Sequence, residues 1–439
     1  MRRHARSCMG AAVLALALAL PAAATEIQRV RSPGGIEGWL VEDRSIPVIS
    51  VRFAFRGGGA LDPDGKQGLA NMAAALLDEG AGDLDSRAFQ EALDDIVASL
   101  GFDAGVERFH GSLRTLSEHR ASAFALLAKA LAAPRFDAEP VERIRRQIVA
   151  GLESGKDNPR RLAGRAWYRL VFGDHPYARP LAGTPQSVAA VTVEDLRRFV
   201  RERLVREGLV VGVAGDISPA ELGLRLDEAF GALPASGAPG ALPGVVPKGG
   251  ALKVIQKQVP QSVVVFGQAG LRRDDPDFYA AYVMNHILAV GRSSRLNREI
   301  REKRGLVYSV SSHLAPFEKA GLIVGGLATA NARVGTALDL LREEWGRMAR
   351  DGVSEAELVA AKRFLNGAFP LRLDSTGSIA RMLVGLQENR LGIDYVDRRS
   401  SLIGAVTVDD VQRVARRLLS PDKLTIVVAG SPEGLDAGR

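Results

Sequence analysis

The strongest constraint on this chain is that it repeats itself. Ala190-Val191-Thr192-Val193-Glu194-Asp195-Leu196 returns 215 residues later as Ala405-Val406-Thr407-Val408-Asp409-Asp410-Val411. Val213-Ala214-Gly215 returns at the same offset of 215 as Val428-Ala429-Gly430, and Asp62-Pro63-Asp64 returns 213 residues on as Asp275-Pro276-Asp277. Three matches in one order at nearly one spacing imply two copies of a domain of roughly 200 residues. The 439-residue length agrees, since a single core rarely grows past roughly 250–300 residues. Between the copies, residues 231–250 (GALPASGAPGALPGVVPKGG) are dominated by Gly and Pro and read as a linker with little secondary structure of its own. The implied units are 25–230 and 251–439.

Residues 1–24 read as a secretory signal. Arg2, Arg3 and Arg6 precede the apolar run Cys8–Leu20, which is too short to span a bilayer comfortably; Pro21 breaks it, and Ala22-Ala23-Ala24 suits cleavage after Ala24. Losing those three arginines takes the formal net charge from +7 to +4 and removes the only cysteine. The mature fold must therefore rest on packed cores without disulfides, and export without cysteine suits a bacterial periplasm. No later stretch reaches ~18 uninterrupted apolar residues, so no membrane partner is expected once the signal is gone. Hydrophobic residues at 46% and charged residues at 25% exclude a disordered, collagen-like or disulfide-dense chain. Arginines are interleaved with apolar residues and Glu along 141–147 and 196–206. They read as solvated helix faces, with no nucleic-acid partner implied.

Each copy has the same coarse layout. A strand (Val48–Arg56; Ser262–Gln268) runs into the Asp-Pro-Asp turn and a long helix (Gly68–Leu77; Phe278–Leu288). Strands follow at Gly105–Thr115, and at Val307–His313 and Gly321–Thr329, with helices such as Ala121–Ala133 and Thr336–Arg350 in the middle. A helix capped by Thr192 or Thr407, each with an acid three residues on, leads to a last strand (Leu209–Ala214; Leu424–Ala429). The pattern predicts an α+β fold: two tandem homologous domains, each a mainly antiparallel sheet with helices packed on one face.

Chemistry is sparse in the residues alone. The mature histidines, His110, His119, His175, His286 and His313, offer no i, i+4 pair on a helix. Arg56-Gly57-Gly58-Gly59 lacks the phosphate-loop pattern, and no G-x-S-x-G elbow accompanies Ser112 or Ser117. Gly291-Arg292-Ser293-Ser294 reads as a flexible connector, either a contact for extended substrate or a plain turn.

Several stretches together resemble the M16 (insulinase, pitrilysin, mitochondrial processing peptidase) metallopeptidases. In the first half these are Gly68-Leu69-Ala70, Asp78-Glu79-Gly80, Asp157-Asn158-Pro159, His175-Pro176-Tyr177 and Gly183-Thr184. In the second they are Ser293-Ser294-Arg295-Leu296 and Arg301-Glu302-Lys303-Arg304-Gly305-Leu306-Val307-Tyr308-Ser309-Val310. The resemblance implies tandem α/β domains over essentially the whole mature chain. It also implies an inverted zinc motif, H-x-x-E-H, on the first domain's helix, where two His on one face hold Zn²⁺ and the Glu activates the metal-bound water. Counting back from Gly80, Asn71 occupies the first His position, Ala74 the Glu and Ala75 the second His. The further Glu ligand falls at Ala150 or Gly151, with Glu153 close by. Zinc needs three protein ligands, so no catalytic metal is expected in this chain and no peptide hydrolysis by it alone.

Arg301 and Tyr308 match the arginine and tyrosine that in the family reach the substrate from the C-terminal domain. A guanidinium and a phenol are suitable donors to a peptide carbonyl or developing oxyanion. Arg295–Lys303 reads as a helix, Gly305 as its stop and Leu306–Ser311 as a strand. The resemblance thus implies a non-catalytic, substrate-binding subunit of a heterodimeric peptidase acting on periplasmic peptides, with zinc carried by an H-x-x-E-H partner chain. The alternative is a homodimer of the same type that binds peptides without cutting them.

Overall fold

The computed structural model describes residues 26–237 and 240–435; the expected signal, 1–24, lies outside the described residues. The first half runs β1 (Gln28–Arg31), β2 (Glu37–Glu42), β3 (Val48–Arg56), α1 (Leu69–Ala74), α2 (Ser86–Asp95), β4 (Ser99–Ala104), β5 (Arg108–Leu116), α3 (Arg120–Ala132), α4 (Ala138–Ser154), α5 (Pro159–Phe172), α6 (Pro185–Ala189), α7 (Val193–Arg203), β6 (Val210–Gly215) and α8 (Pro219–Phe230). The second runs β7 (Leu252–Gln256), β8 (Gln261–Ala269), α9 (Phe278–Ala289), β9 (Val307–Pro316), β10 (Gly321–Ala330), α10 (Val334–Asp351), α11 (Glu355–Gly367), α12 (Thr376–Glu388), α13 (Tyr395–Gly404), α14 (Val408–Leu418) and β11 (Thr425–Gly430).

The strands form two sheets, ordered β1-β2-β6-β3-β5-β4 and β7-β11-β8-β10-β9. Apart from β1, the second order repeats the first strand for strand. Both sheets are mainly antiparallel, with one parallel pair each, β2 with β6 and β7 with β11. The repeated threonines do the same work twice. Thr192 and Thr407 accept from the N–H groups of Asp195 and Asp410, whose carboxylates accept in return, closing a capping box at the start of α7 and of α14.

Each sheet buries one face on helices of its own half. Ile49, Val51, Phe53 and Phe55 of β3 pack with residues of α1, α3, α7 and α8 in the first core, and Phe266, Ile426 and Val428 pack with residues of α9, α10 and α14 in the second. The opposite faces are covered by an exchange. Helix α5, from the first half, lays Ala163, Trp167 and Val171 against Leu322, Val324, Val427 and Ala429 of the second sheet. Helix α12, from the second half, lays Ala380, Leu383 and Leu386 against Trp39, Val41 and Ala214 of the first. This is why β11 is buried at every position and β6 at nearly every one, where a one-sided sheet would alternate.

Two glycines make the close approach possible. A Cβ on Gly212 would come within 2.6 Å of the Ala380 carbonyl, and one on Gly267 within 2.8 Å of the Trp167 ring. Polar contacts finish both seams. The Trp167 indole donates to the Thr425 carbonyl at 3.0 Å, and the Ser50 and Thr376 hydroxyls meet at 2.9 Å.

Three local readings change. The long helix expected at Gly68–Leu77 is α1, only six residues, followed by turns that end at Gly80 with φ +106°. Strand β4 was not foreseen; its sequence, SLGFDA, is poor in β-formers, and pairing with β5 holds it. The segment read as an ordinary helix at Arg295–Lys303 contains a π-helical stretch at Asn297–Glu302. The Gly/Pro-rich stretch has no helix or strand among its described residues, yet it is fastened: Lys248 N–H donates to the Val171 carbonyl at 2.8 Å and Gly250 N–H to that of Lys423 at 3.0 Å.

Candidate functional site: a cavity between α1, α4 and α5

Helices α1, α4 and α5 and the segment 177–183 enclose an open cavity of about 560 Å³. Its walls are set by buried polar locks. Asp62, from the first Asp-Pro-Asp turn, accepts from Gly68 N–H at 3.0 Å and from Ala70 N–H at 3.2 Å, which fixes the start of α1. Its buried partner is Arg203, at 3.0 Å. Burial pushes the Asp62 carboxyl up, while Arg203 pulls the other way. Asn158 caps α5 by accepting from the N–H groups of Arg160 and Arg161, with Pro159 at the first helical position. Gly183, at φ +76°, sits where a Cβ would overlap the Gln67 carbonyl, so the loop closes tightly over the entry to α1.

Asn71 and Gly151, which the resemblance aligns with the first zinc-ligand position and with one of the two candidates for the further one, both line this cavity. Ala150 is exposed outside it, and Glu153 is exposed and paired with Lys156 at 3.3 Å. Ala74 is buried in the first core and Ala75 packs at its edge. The chemistry does not fit zinc: the three motif positions and Gly151 supply one carboxamide and no imidazole or carboxylate. Among the described residues no group of three or more His, Cys, Asp or Glu is placed to hold a metal. The cavity is lined instead by Arg161, Arg165 and Arg179, and like charge opposes a cation.

Sequence reasoning missed these arginines and Tyr168. Their signal is the spacing within PRRLAGRAWYRLVF: Arg161, Arg165 and Tyr168 stand at i, i+4 and i+7, while Ala163, Trp167 and Val171 occupy the face that meets the second sheet. Tyr177 of the His-Pro-Tyr stretch ties the halves together. Its hydroxyl donates to Glu107 and accepts from Lys319 N–H at 3.2 Å, and Glu107 also accepts from Glu318 N–H at 2.8 Å. Burial and the Glu107 carboxylate push the Tyr177 phenol up.

Arg301 and Tyr308 lie elsewhere and do not line this cavity. The Arg301 guanidinium stands 5.8 Å from the Tyr308 ring centroid, and Tyr308, on the edge strand β9, is 82% exposed. Arg301 has no acidic partner among the described residues, whereas Lys303 and Arg304 both pair with Glu299. The neighbouring Ser-Ser-Arg-Leu stretch is structural: Arg295 is buried and grips Glu357 through two bonds of 2.8 and 2.7 Å. Gly291 makes a turn closed by the Ser294 hydroxyl at 2.8 Å.

Comparison with known proteins identifies relatives of this chain. Residues 190–365 match the family described as Peptidase M16 inactive domain. An uncharacterized zinc protease of Mycobacterium leprae is 31% identical over 299 residues, covering 67% of each chain. The non-peptidase homolog YmxG of Helicobacter pylori is 28% identical over 338 residues, 77% of this chain and 78% of that one. A crystal structure of the peptidase M16 inactive domain from Pseudomonas fluorescens superposes with a TM-score of 0.87 at 29% identity, over 94% of this chain and all of that one. The chain belongs to the M16 peptidase family, and its residues 190–365 match that family's inactive-domain model.

Proposed function

We propose that this chain is the non-catalytic, substrate-binding subunit of a heterodimeric M16 zinc peptidase acting on peptides in the periplasm. One observation carries the reading: the positions aligned with the zinc motif hold Asn71, Ala74 and Ala75, while Arg301 and Tyr308 stand side by side at an accessible edge with no acid among the described residues engaging Arg301. An unengaged guanidinium beside a solvent-facing phenol is suited to donate to a peptide backbone held against β9. In this arrangement an H-x-x-E-H partner supplies zinc and its hydroxide, and this chain supplies donors from the facing side.

The test is reconstitution. The chain alone, with zinc added, shows no peptide hydrolysis. Mixed with a zinc-motif M16 chain encoded beside it, it raises that chain's metal-dependent peptidase activity. Arg301→Ala lowers the activity of the mixture by about 10²-fold, the scale of losing one oxyanion donor, and Tyr308→Phe lowers it less. Full activity with both variants removes the role given to the pair. Peptide binding by the chain alone, with no gain on mixing, favours the homodimeric binding protein instead.

A further inference from the structure

We infer that the cavity between α1, α4 and α5 is an anion site that binds the carboxylate of a small apolar acid. The inference concerns the chain on its own and holds whether or not a zinc-bearing partner exists. Among the described residues no Asp, Glu or His lines the cavity. Of its three arginines, Arg179 is already satisfied by Asp64 at 2.5 Å and by the Asp62 carbonyl at 3.0 Å. Arg161 and Arg165 have no acidic partner among the described residues. The acids in the flanking segments are engaged elsewhere, Glu153 by Lys156 and Asp157 by Lys257.

Both side chains are solvent-exposed on the cavity side of α5, and Arg161 is tethered. Arg161 donates to the Gly151 carbonyl at 3.1 Å across the gap between α5 and α4, which leaves its remaining N–H groups unused. Gly155 makes room for it, since a Cβ there would overlap the guanidinium. Arg165 stands one helical turn further on. The rest of the wall is largely apolar, with Ile148 and Leu152 from α4 and Leu181 from the 177–183 segment, and Tyr168 continues the arginines' own stripe on α5. A cavity of about 560 Å³ holds a small organic molecule. Guanidiniums beside an apolar wall suit a carboxylate attached to an apolar body, through charge-assisted hydrogen bonds. Two sources offer that chemistry: the C-terminal residue of a peptide and a free fatty acid.

Calorimetric titration of the mature chain tests this with N-acetyl-L-leucine, its uncharged amide and decanoate. At least one acid binds, and the amide binds at least about tenfold more weakly, the worth of a charge-assisted hydrogen bond. The double variant Arg161→Gln/Arg165→Gln weakens the acid by a similar factor. Gly164 lines the same cavity, and a Cβ there meets nothing within 4 Å, so Gly164→Phe fills the space and abolishes binding while thermal unfolding stays cooperative. N-acetyl-leucine binding tighter than decanoate identifies a peptide terminus; the reverse identifies a fatty acid. Equal binding of acid and amide, no binding of either acid at millimolar concentration, or unchanged binding by the double variant overturns the inference.

Discussion

At Glu357 the paired hydrogen bonds from Arg295 draw the carboxyl down from 4.5 to about 2, with burial opposing them. A carboxyl lowered by folding contributes stability that is complete above its unfolded value and is lost as the pH falls through the interval towards 2. Urea midpoints measured between pH 5 and pH 3 should therefore fall more steeply for the native chain than for Glu357→Gln, which lacks the titrating group. Equal slopes would mean that the pair contributes no acid sensitivity. At this scale the sequence was legible where a residue's identity excludes a chemistry. Asn71, Ala74 and Ala75 could be placed by counting from Gly80, and alanine carries no ligand wherever it points. Arg161 and Arg165 were not legible, because they are exposed helix arginines like many others in the chain. Only the fold shows that their face of α5 lines an open cavity with no acid among its described lining residues. The same fold argues against simple restoration of the metal site, since a glutamate at Ala74 would have to ionise within an apolar core.

Among elements, α5 and α12 carry the most unusual burden, because each completes a sheet that the other half of the chain builds. Trp167 is fully buried. Trp167→Ala removes its contacts and its bond to Thr425, a loss of about 3–5 kcal/mol at such a site. The damage should appear away from the mutation in sequence: hydrogen-exchange protection drops in β8 and β11 more than in β3 and β6. Leu383→Ala, worth about 2–5 kcal/mol, should do the converse. If Trp167→Ala weakened only its own half, the exchange would not be what stabilises the second sheet. The strands and capped helices were readable because their signals are local: alternation, and a threonine with an acid three residues on. The destination of α5 was not, since an apolar stripe with a tryptophan states that a helix is covered and not by which sheet. Helix α1 was overread for a related reason, as the apolar run 72–77 continues past the point where the chain turns towards Gly80.

Across the whole molecule, the duplication in sequence does not become two independent bodies. If 25–230 and 251–439 are expressed separately, each leaves one sheet face bare and carries one helix with nothing to cover. We expect neither half alone to unfold cooperatively, and the two mixed together to regain the melting behaviour of the intact chain; a half that folds cooperatively alone would show that its own core suffices. Tyr177, Glu107 and the 317–320 hairpin add a polar stitch to the same seam. The exchange also bears on mechanics. Swinging the halves apart would strip α5 and α12 from their sheets together, so the chain works as one stiff jaw. Whatever movement admits a ligand has to happen at its rim or against another molecule, and a single cut in the Gly/Pro stretch would leave two fragments still clasped to each other.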